Sequence, residues 1–215
     1  MDQVVAQQPA EIPLQQKESG YNMLEYISKR VLDLSMVLPL SIITLPIFLY
    51  SAYKIKKESP EGSIIFKQQR IGLNGQEFTC YKFRSMHSNS HFDPYTQEND
   101  IRIFPYGNLM RKMRIDELPQ LWNILKGDMH LVGPRAEWNI LVKEYEKKIP
   151  HYHQRHCVRP GITGLAQVSY PYGRDLQDTK NKLKYDLLYI QKWSILLELN
   201  IILKTIKIVL GKQGV

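Results

Sequence analysis

The chain has 215 residues, a formal net charge of +8, 43% hydrophobic and 23% charged residues. That composition excludes a disordered or collagen-like chain and suits one domain with a sizeable core. The positive excess favours an anionic partner (nucleic acid, anionic lipid or a phosphorylated small molecule) without choosing among them. The two cysteines, Cys80 and Cys157, form no CxxC pattern and argue against a disulfide framework or a zinc site.

Residues 1–20 are polar and lack an apolar period, which predicts a flexible tail. From Leu34 to Tyr53 the chain carries no charge, and a helix crosses the hydrocarbon core in about 20 residues. Pro39 and Pro46 interrupt that run, and each removes a backbone donor. Lys29 and Arg30 precede it, and Lys54, Lys56 and Lys57 follow it. Basic flanks stay on the cytoplasmic side. If both ends do so, the segment enters and returns through one face as a proline-broken hairpin, with its freed carbonyls satisfied inside the protein. A bitopic span and a buried core helix of a soluble protein are the alternatives that the residues leave open.

Residues 62–86 predict two short strands joined by Gly-Leu-Asn-Gly, and residues 87–100 a polar loop. Asn108–Arg114 is a short basic stretch with helical character. Residues 116–127, DELPQLWNILKG, carry helix-start grammar and a glycine stop. A helix over 136–148 ends before Pro150. RPGITGLAQV at 159–168 predicts a turn leading into a strand-like run. Helices over 175–192 and 194–210 complete the chain, the last apolar enough to pack on the domain or to lie in a membrane interface.

The chemistry concentrates in residues 111–135. Asp116 and Glu117 sit where the helix start is predicted, after Arg111, Lys112 and Arg114 and before Arg135 in a Gly-Pro-Arg turn. A helix N-terminus keeps carboxylates ionised and also binds phosphate. A carboxylate that attacks phosphorus needs both effects, because cations must screen the phosphate oxygens. The plain alternative is a helix cap with a dipole partner. Lys82 and Arg84 alternate on a predicted strand and would share one face. Arg159 precedes a Pro-Gly turn that can aim a guanidinium at phosphate. The histidines of HYHQRH, His151, His153 and His156, lie among basic residues and fit a phosphate-facing or solvated stretch better than a metal site. Thirteen tyrosines would suit a nucleic-acid surface, but the uncharged segment does not, and no nucleic-acid motif occurs.

Read together, KRVLDLSMVLP, FKQQRIG, YKFRSM, RIDELPQLWNILKGDMHLVGPR, RHCVRPGITGLAQV and KYDLLYI resemble, in order, the bacterial sugar transferase family, the monotopic polyprenyl-phosphate phosphoglycosyl transferases. The resemblance runs from Lys29 to Val209. It implies a mainly helical, α/β-like fold: a re-entrant membrane hairpin over 21–57, then a catalytic domain over 58–215 with a small strand element and interfacial amphipathic helices. It implies transfer of a sugar-1-phosphate from a UDP-sugar to undecaprenyl phosphate with Mg²⁺, at the cytoplasmic face of a bacterial inner membrane. Asp116 would be the nucleophile, and Glu117 a base or, with Asp116, a metal holder. Lys82, Arg111, Arg135 and Arg159 match basic family positions; Arg84 and Arg114 join them as phosphate-binding candidates.

Three departures stand out. The family's Ser-Pro hairpin break is Leu45-Pro46, where Thr44 would supply the hydroxyl. Gly-Pro-Arg-Pro is Gly-Pro-Arg-Ala at 133–136. The usual QVNGR is QVSYPYGR at 167–174, resembling an exopolysaccharide-type subgroup, with Arg174 as a compensating contact. The expected product would begin a capsule, exopolysaccharide or glycoprotein glycan. A non-enzymatic membrane scaffold for glycan-assembly proteins is the alternative, and oligomeric state is left open.

Overall fold

The computed structural model describes residues 20–88, 100–170 and 175–211. All but Gly20 of the tail expected over 1–20, most of the 87–100 loop and Arg174 lie outside these residues. Helix α1, Met23–Ile43, starts at Asn22, whose side chain accepts from Glu25 N–H while the Glu25 side chain accepts from Asn22 N–H. Pro39 sits inside α1 without ending it. The break comes at Thr44, and α2, Leu45–Glu58, carries Pro46 in its first turn. A proline disfavours helical backbone just before it and is tolerated in a first turn. The Thr44 hydroxyl donates to Leu40 O at 2.7 Å. It therefore does not serve Ile42 O, the carbonyl whose helical donor Pro46 removes.

Strands β1, Ile65–Ile71, and β2, Glu77–Phe83, form the expected antiparallel hairpin, with Phe66 opposite Lys82. Asn74 at φ 53° and Gly75 at φ 76° make its tight turn. After α3, Pro105–Lys112, come α4, Gln120–Lys126, and β3, His130–Val132. Helix α5, Asn139–Lys148, precedes β4, Gly161–Thr163, which pairs with β3 in parallel. The apolar run after β4 is a helix, α6, Leu165–Ser169, and not a strand. A Cβ on Gly164 would lie 2.2 Å from Gly133 O, so the backbones meet there and the strand ends. Helix α7, Leu176–Gln191, has an Asp175–Asp178 capping box, and Ser194 caps α8, Ile195–Leu210.

The main core joins Val37 of α1, Ile124 of α4, Val132 of β3, Tyr189 of α7 and Ile201 of α8. Polar contacts fasten α1 to it. Lys29 donates to both carboxylate oxygens of Glu198 at 2.8 Å, and both residues are fully buried. Arg30 donates to the carbonyls of Ile124 and Leu125 at the end of α4. Asp33 accepts from Leu131 N–H at 3.0 Å and pairs with His130 Nδ1. Lys29 and Arg30 thus serve the fold and are not free flanking cations. At the other end, Ser51 of α2 pairs with Tyr106 OH at 2.9 Å, and Glu58 accepts from Tyr106 N–H at 2.7 Å. Between these ties the apolar surface is open: Leu38, Ile42, Ile43, Leu45, Leu49 and Tyr50 are all more than half exposed. Among the described residues no single helix is long and apolar enough to cross a membrane. Helices α1 and α2 qualify only as a pair, bent by 56°.

Removing one partner of a buried pair leaves the other charge uncompensated. Lys29→Met should cost about 3 kcal/mol, and adding Glu198→Gln should recover more than half. Thermal unfolding in detergent measures both.

Candidate active site

The chain leaves α3 through Arg114, whose backbone is left-handed at φ 58°. That conformation costs a non-glycine residue about 1–2 kcal/mol. It swings the next three residues, Ile115–Glu117, into a 3₁₀ turn against β2. Ile115 and Leu118 pack beside Phe83 and Met110 and hold the turn down. Asp116 and Glu117 therefore precede α4 and neither caps it; Pro119 occupies the cap position.

The two carboxylates have opposite surroundings. Glu117 Oε1 accepts from Lys82 Nζ at 2.7 Å and from Arg135 Nη2 at 3.0 Å. Lys82 comes from β2 and Arg135 from the loop after β3, so Glu117 joins three segments. Burial opposes its ionisation most strongly, but Lys82, Arg135 and Arg114 overcome it and hold its carboxyl well below the usual range. Asp116 makes no hydrogen bond through its carboxylate to any described residue, and it is 9% exposed. Burial raises its pKa above the ordinary aspartate value, with Glu117 adding to the rise and Lys82, Arg111 and Arg114 opposing it. The expectation that a helix terminus lowers both pKa values is corrected here: only Glu117 is depressed, and by cations.

Of the candidate cations, Lys82, Arg111, Arg114 and Arg135 lie close enough to act electrostatically on one or both carboxylates. Arg84 does not join them. The strand ends at Phe83, and the Arg84 guanidinium turns to Ser63 O at 2.7 Å and Ser59 O at 2.6 Å, tying β2 to the end of α2. Arg159 also goes elsewhere: its Nε donates to Gly127 O at 2.7 Å, and its guanidinium lies 5.1 Å from the centre of the Tyr26 ring. In HYHQRH, Arg155 and His156 are buried while His151 and His153 are exposed. Among the described residues no cluster of three or more His, Cys, Asp or Glu could hold a metal.

Two features escaped the sequence reading. Gln120, 3% exposed at the start of α4, has an amide nitrogen with no hydrogen-bond partner among the described residues. The Arg135 loop rests on buried Arg155, which pairs with Asp186 at 2.7 Å. Both pair residues fall within recognised motifs, RHCVRPGITGLAQV and KYDLLYI, but their partnership across 31 positions has no local signal.

Known proteins share this framework. The sequence model of the family described as "Bacterial sugar transferase" matches residues 24–212. The chain is 46% identical, over 79% of its length, to the UDP-N-acetylgalactosamine-undecaprenyl-phosphate N-acetylgalactosaminephosphotransferase of Aeromonas hydrophila. It is 43% identical, over 78% of its length, to a UDP-glucose:undecaprenyl-phosphate glucose-1-phosphate transferase of Xanthomonas campestris pv. campestris. It spans only 40% and 36% of those two proteins. A protein of the same glucose-1-phosphate transferase name from Caulobacter vibrioides is 40% identical over 84% of this chain and 68% of its own length.

The two carboxylates should respond oppositely to neutralisation. Glu117→Gln leaves Lys82 and Arg135 facing a neutral amide and should cost about 3 kcal/mol. Asp116→Asn should stabilise. A raised native pKa means the folded state binds the proton more tightly, so stability falls as pH rises from the ordinary aspartate range through the native pKa. The gain should therefore be full only above the native pKa and vanish below the ordinary aspartate range, as chemical unfolding across pH would report.

Proposed function

The chain belongs to the bacterial sugar transferase family, and from that premise we propose that it transfers a sugar-1-phosphate from a UDP-sugar to undecaprenyl phosphate, releasing UMP. The names of the relatives support this reaction class. The carrying observation is the contrast between an unengaged carboxylate, Asp116, and its neighbour Glu117, whose one oxygen holds both Lys82 and Arg135.

In this reading an Asp116 oxygen attacks the sugar-bearing phosphorus. The bond from that phosphorus to the bridging oxygen breaks, and UMP leaves with the oxygen. An oxygen of undecaprenyl phosphate then attacks the same phosphorus, the aspartyl–phosphorus bond breaks, and the carboxylate is restored. Atoms and charge balance with the lipid phosphate as dianion. Glu117, held well below the usual range, is a poor base; its role is to set Lys82 and Arg135 where phosphate oxygens arrive. Arg111 and Arg114 offset the approach of one anion to another.

The residues fit Mg²⁺ as a hard cation. It is commonly held by one or two carboxylates, with phosphate oxygens and water completing the shell. Asp116 and the second oxygen of Glu117 would hold it, and it would neutralise diphosphate charge.

We place the chain at the cytoplasmic face of a bacterial inner membrane, with the α1–α2 pair entering and returning. Both ends of the pair are bonded to the same folded body, and a bilayer cannot pass between them. This supports the re-entrant form over a span.

Two outcomes test the reading. Supplying a UDP-sugar that carries ³²P at its sugar-linked phosphorus, without acceptor, should label the protein, and Asp116→Asn should lower labelling and UMP release at least about a thousandfold, the scale on which nucleophile loss acts. An Asn variant with full turnover would overturn Asp116 as the nucleophile. For topology, cysteines replacing Met23 and Lys57, in a background without reactive native thiols, should both react with an impermeant maleimide from the cytoplasmic side only. Reaction from opposite faces would establish a span.

A further inference from the structure

The Arg135 loop is held by more than its strand. Arg155, 4% exposed, spreads its guanidinium over three partners. Its Nε donates to Asp186 Oδ2 at 2.9 Å, its Nη1 to Tyr152 OH at 2.8 Å, and its Nη2 to the backbone oxygen of Arg135 at 2.9 Å. From the other side, Arg70 of β1 donates to Ala136 O, and Gly161 N–H donates to Pro134 O at 2.9 Å. Three successive carbonyls, those of Pro134, Arg135 and Ala136, are thus pinned while the Arg135 side chain reaches Glu117.

Arg155 touches neither carboxylate of the site. Its connection to the chemistry runs through the Arg135 main chain. A guanidinium suits that task because it is planar and always charged, and it offers donors in several directions at once; a lysine ammonium cannot reproduce the fork. Asp186, buried on α7, orients it.

We propose that Arg155 and Asp186 are positioning residues that aim Arg135 at the diphosphate of the donor. The proposal rests on the phosphotransfer reading of the site. It gives Arg155 a demand beyond charge balance: the ion pair alone would be met by lysine, whereas the bond to the Arg135 carbonyl would not.

Calorimetric binding of UDP to the full chain in detergent is the test, with unfolding midpoints recorded for every variant. Arg155→Lys and Asp186→Asn should each weaken UDP about tenfold when Arg135 is present, and less than about twofold in the Arg135→Met background, the coupling expected of groups in one network. Tyr152→Phe, which removes one bond while keeping the ring, should fall between. Equal losses in both backgrounds, or unchanged affinity in Arg155→Lys, would overturn the positioning role and leave a structural ion pair. If the unaltered protein does not bind UDP, the phosphotransfer reading falls as well.

Discussion

Everything in this fold depends on how an apolar helix is fastened to a polar body. Helix α1 is held by packing against the main core and by polar bonds. Three polar residues within one and a half turns do this: Lys29 to Glu198, Arg30 to the last carbonyls of α4, and Asp33 to His130 and Leu131 N–H. The Arg30 contact matters most for function. It grips α4 at its C-terminal end, and the Asp116–Glu117 turn sits at the other. A seven-residue helix is about 10 Å long, so the candidate nucleophile sits a fixed short distance from α1. Arg159, donating to Gly127 O over the Tyr26 ring, reinforces the same joint.

The site itself is a division of labour between neighbours with different partners. Glu117 spends its charge on Lys82 and Arg135 and is ionised at a structural benefit. Asp116 is buried beside it with no hydrogen bond to its carboxylate from the described residues, so its ionised form is costly. Lys82, Arg111 and Arg114 oppose that cost, and in the proposed reaction a carboxylate poorly served by the protein is available to a phosphorus atom. A nucleophile satisfied as fully as Glu117 would have to break those bonds first. The left-handed backbone at Arg114 belongs to the same pattern, since strain tends to gather where geometry serves chemistry.

Much of this was legible in the residues. The uncharged run, the glycine–asparagine hairpin turn and the acidic and hydroxyl caps of α7 and α8 act locally, and those elements lie where local rules put them. Asp116, Glu117, Lys82 and Arg135 were identifiable because the motifs carry them. What was not legible depended on distant partners. Lys29 before an apolar run reads as a flanking cation, yet its partner lies 169 positions away. Arg84 shares an alternation pattern with Lys82, but β2 ends between them and nearby carbonyls capture its guanidinium. The helix start expected at Asp116 is a 3₁₀ turn, in which the N–H groups of Glu117 and Leu118 bond three residues back to Arg114 O and Ile115 O, and α4 begins only at Gln120.

The same ties limit how deeply the hairpin can enter a bilayer. Val37 and Ser51 are fully buried against the protein. From each of those residues to the bend at Thr44 is about seven residues, or roughly 10 Å of helix, against a hydrocarbon core of about 30 Å. In the proposed re-entrant form, a wedge of that depth would seat in one leaflet. On α4, Trp122 is 59% exposed, and tryptophan favours the headgroup level. With such a wedge in one leaflet and the candidate nucleophile one short helix from its anchor, the proposed reaction would need neither substrate to leave its own phase. The nucleotide-sugar would arrive from water, the lipid phosphate would stay at the headgroups, and Asp116 would be held at the boundary between them.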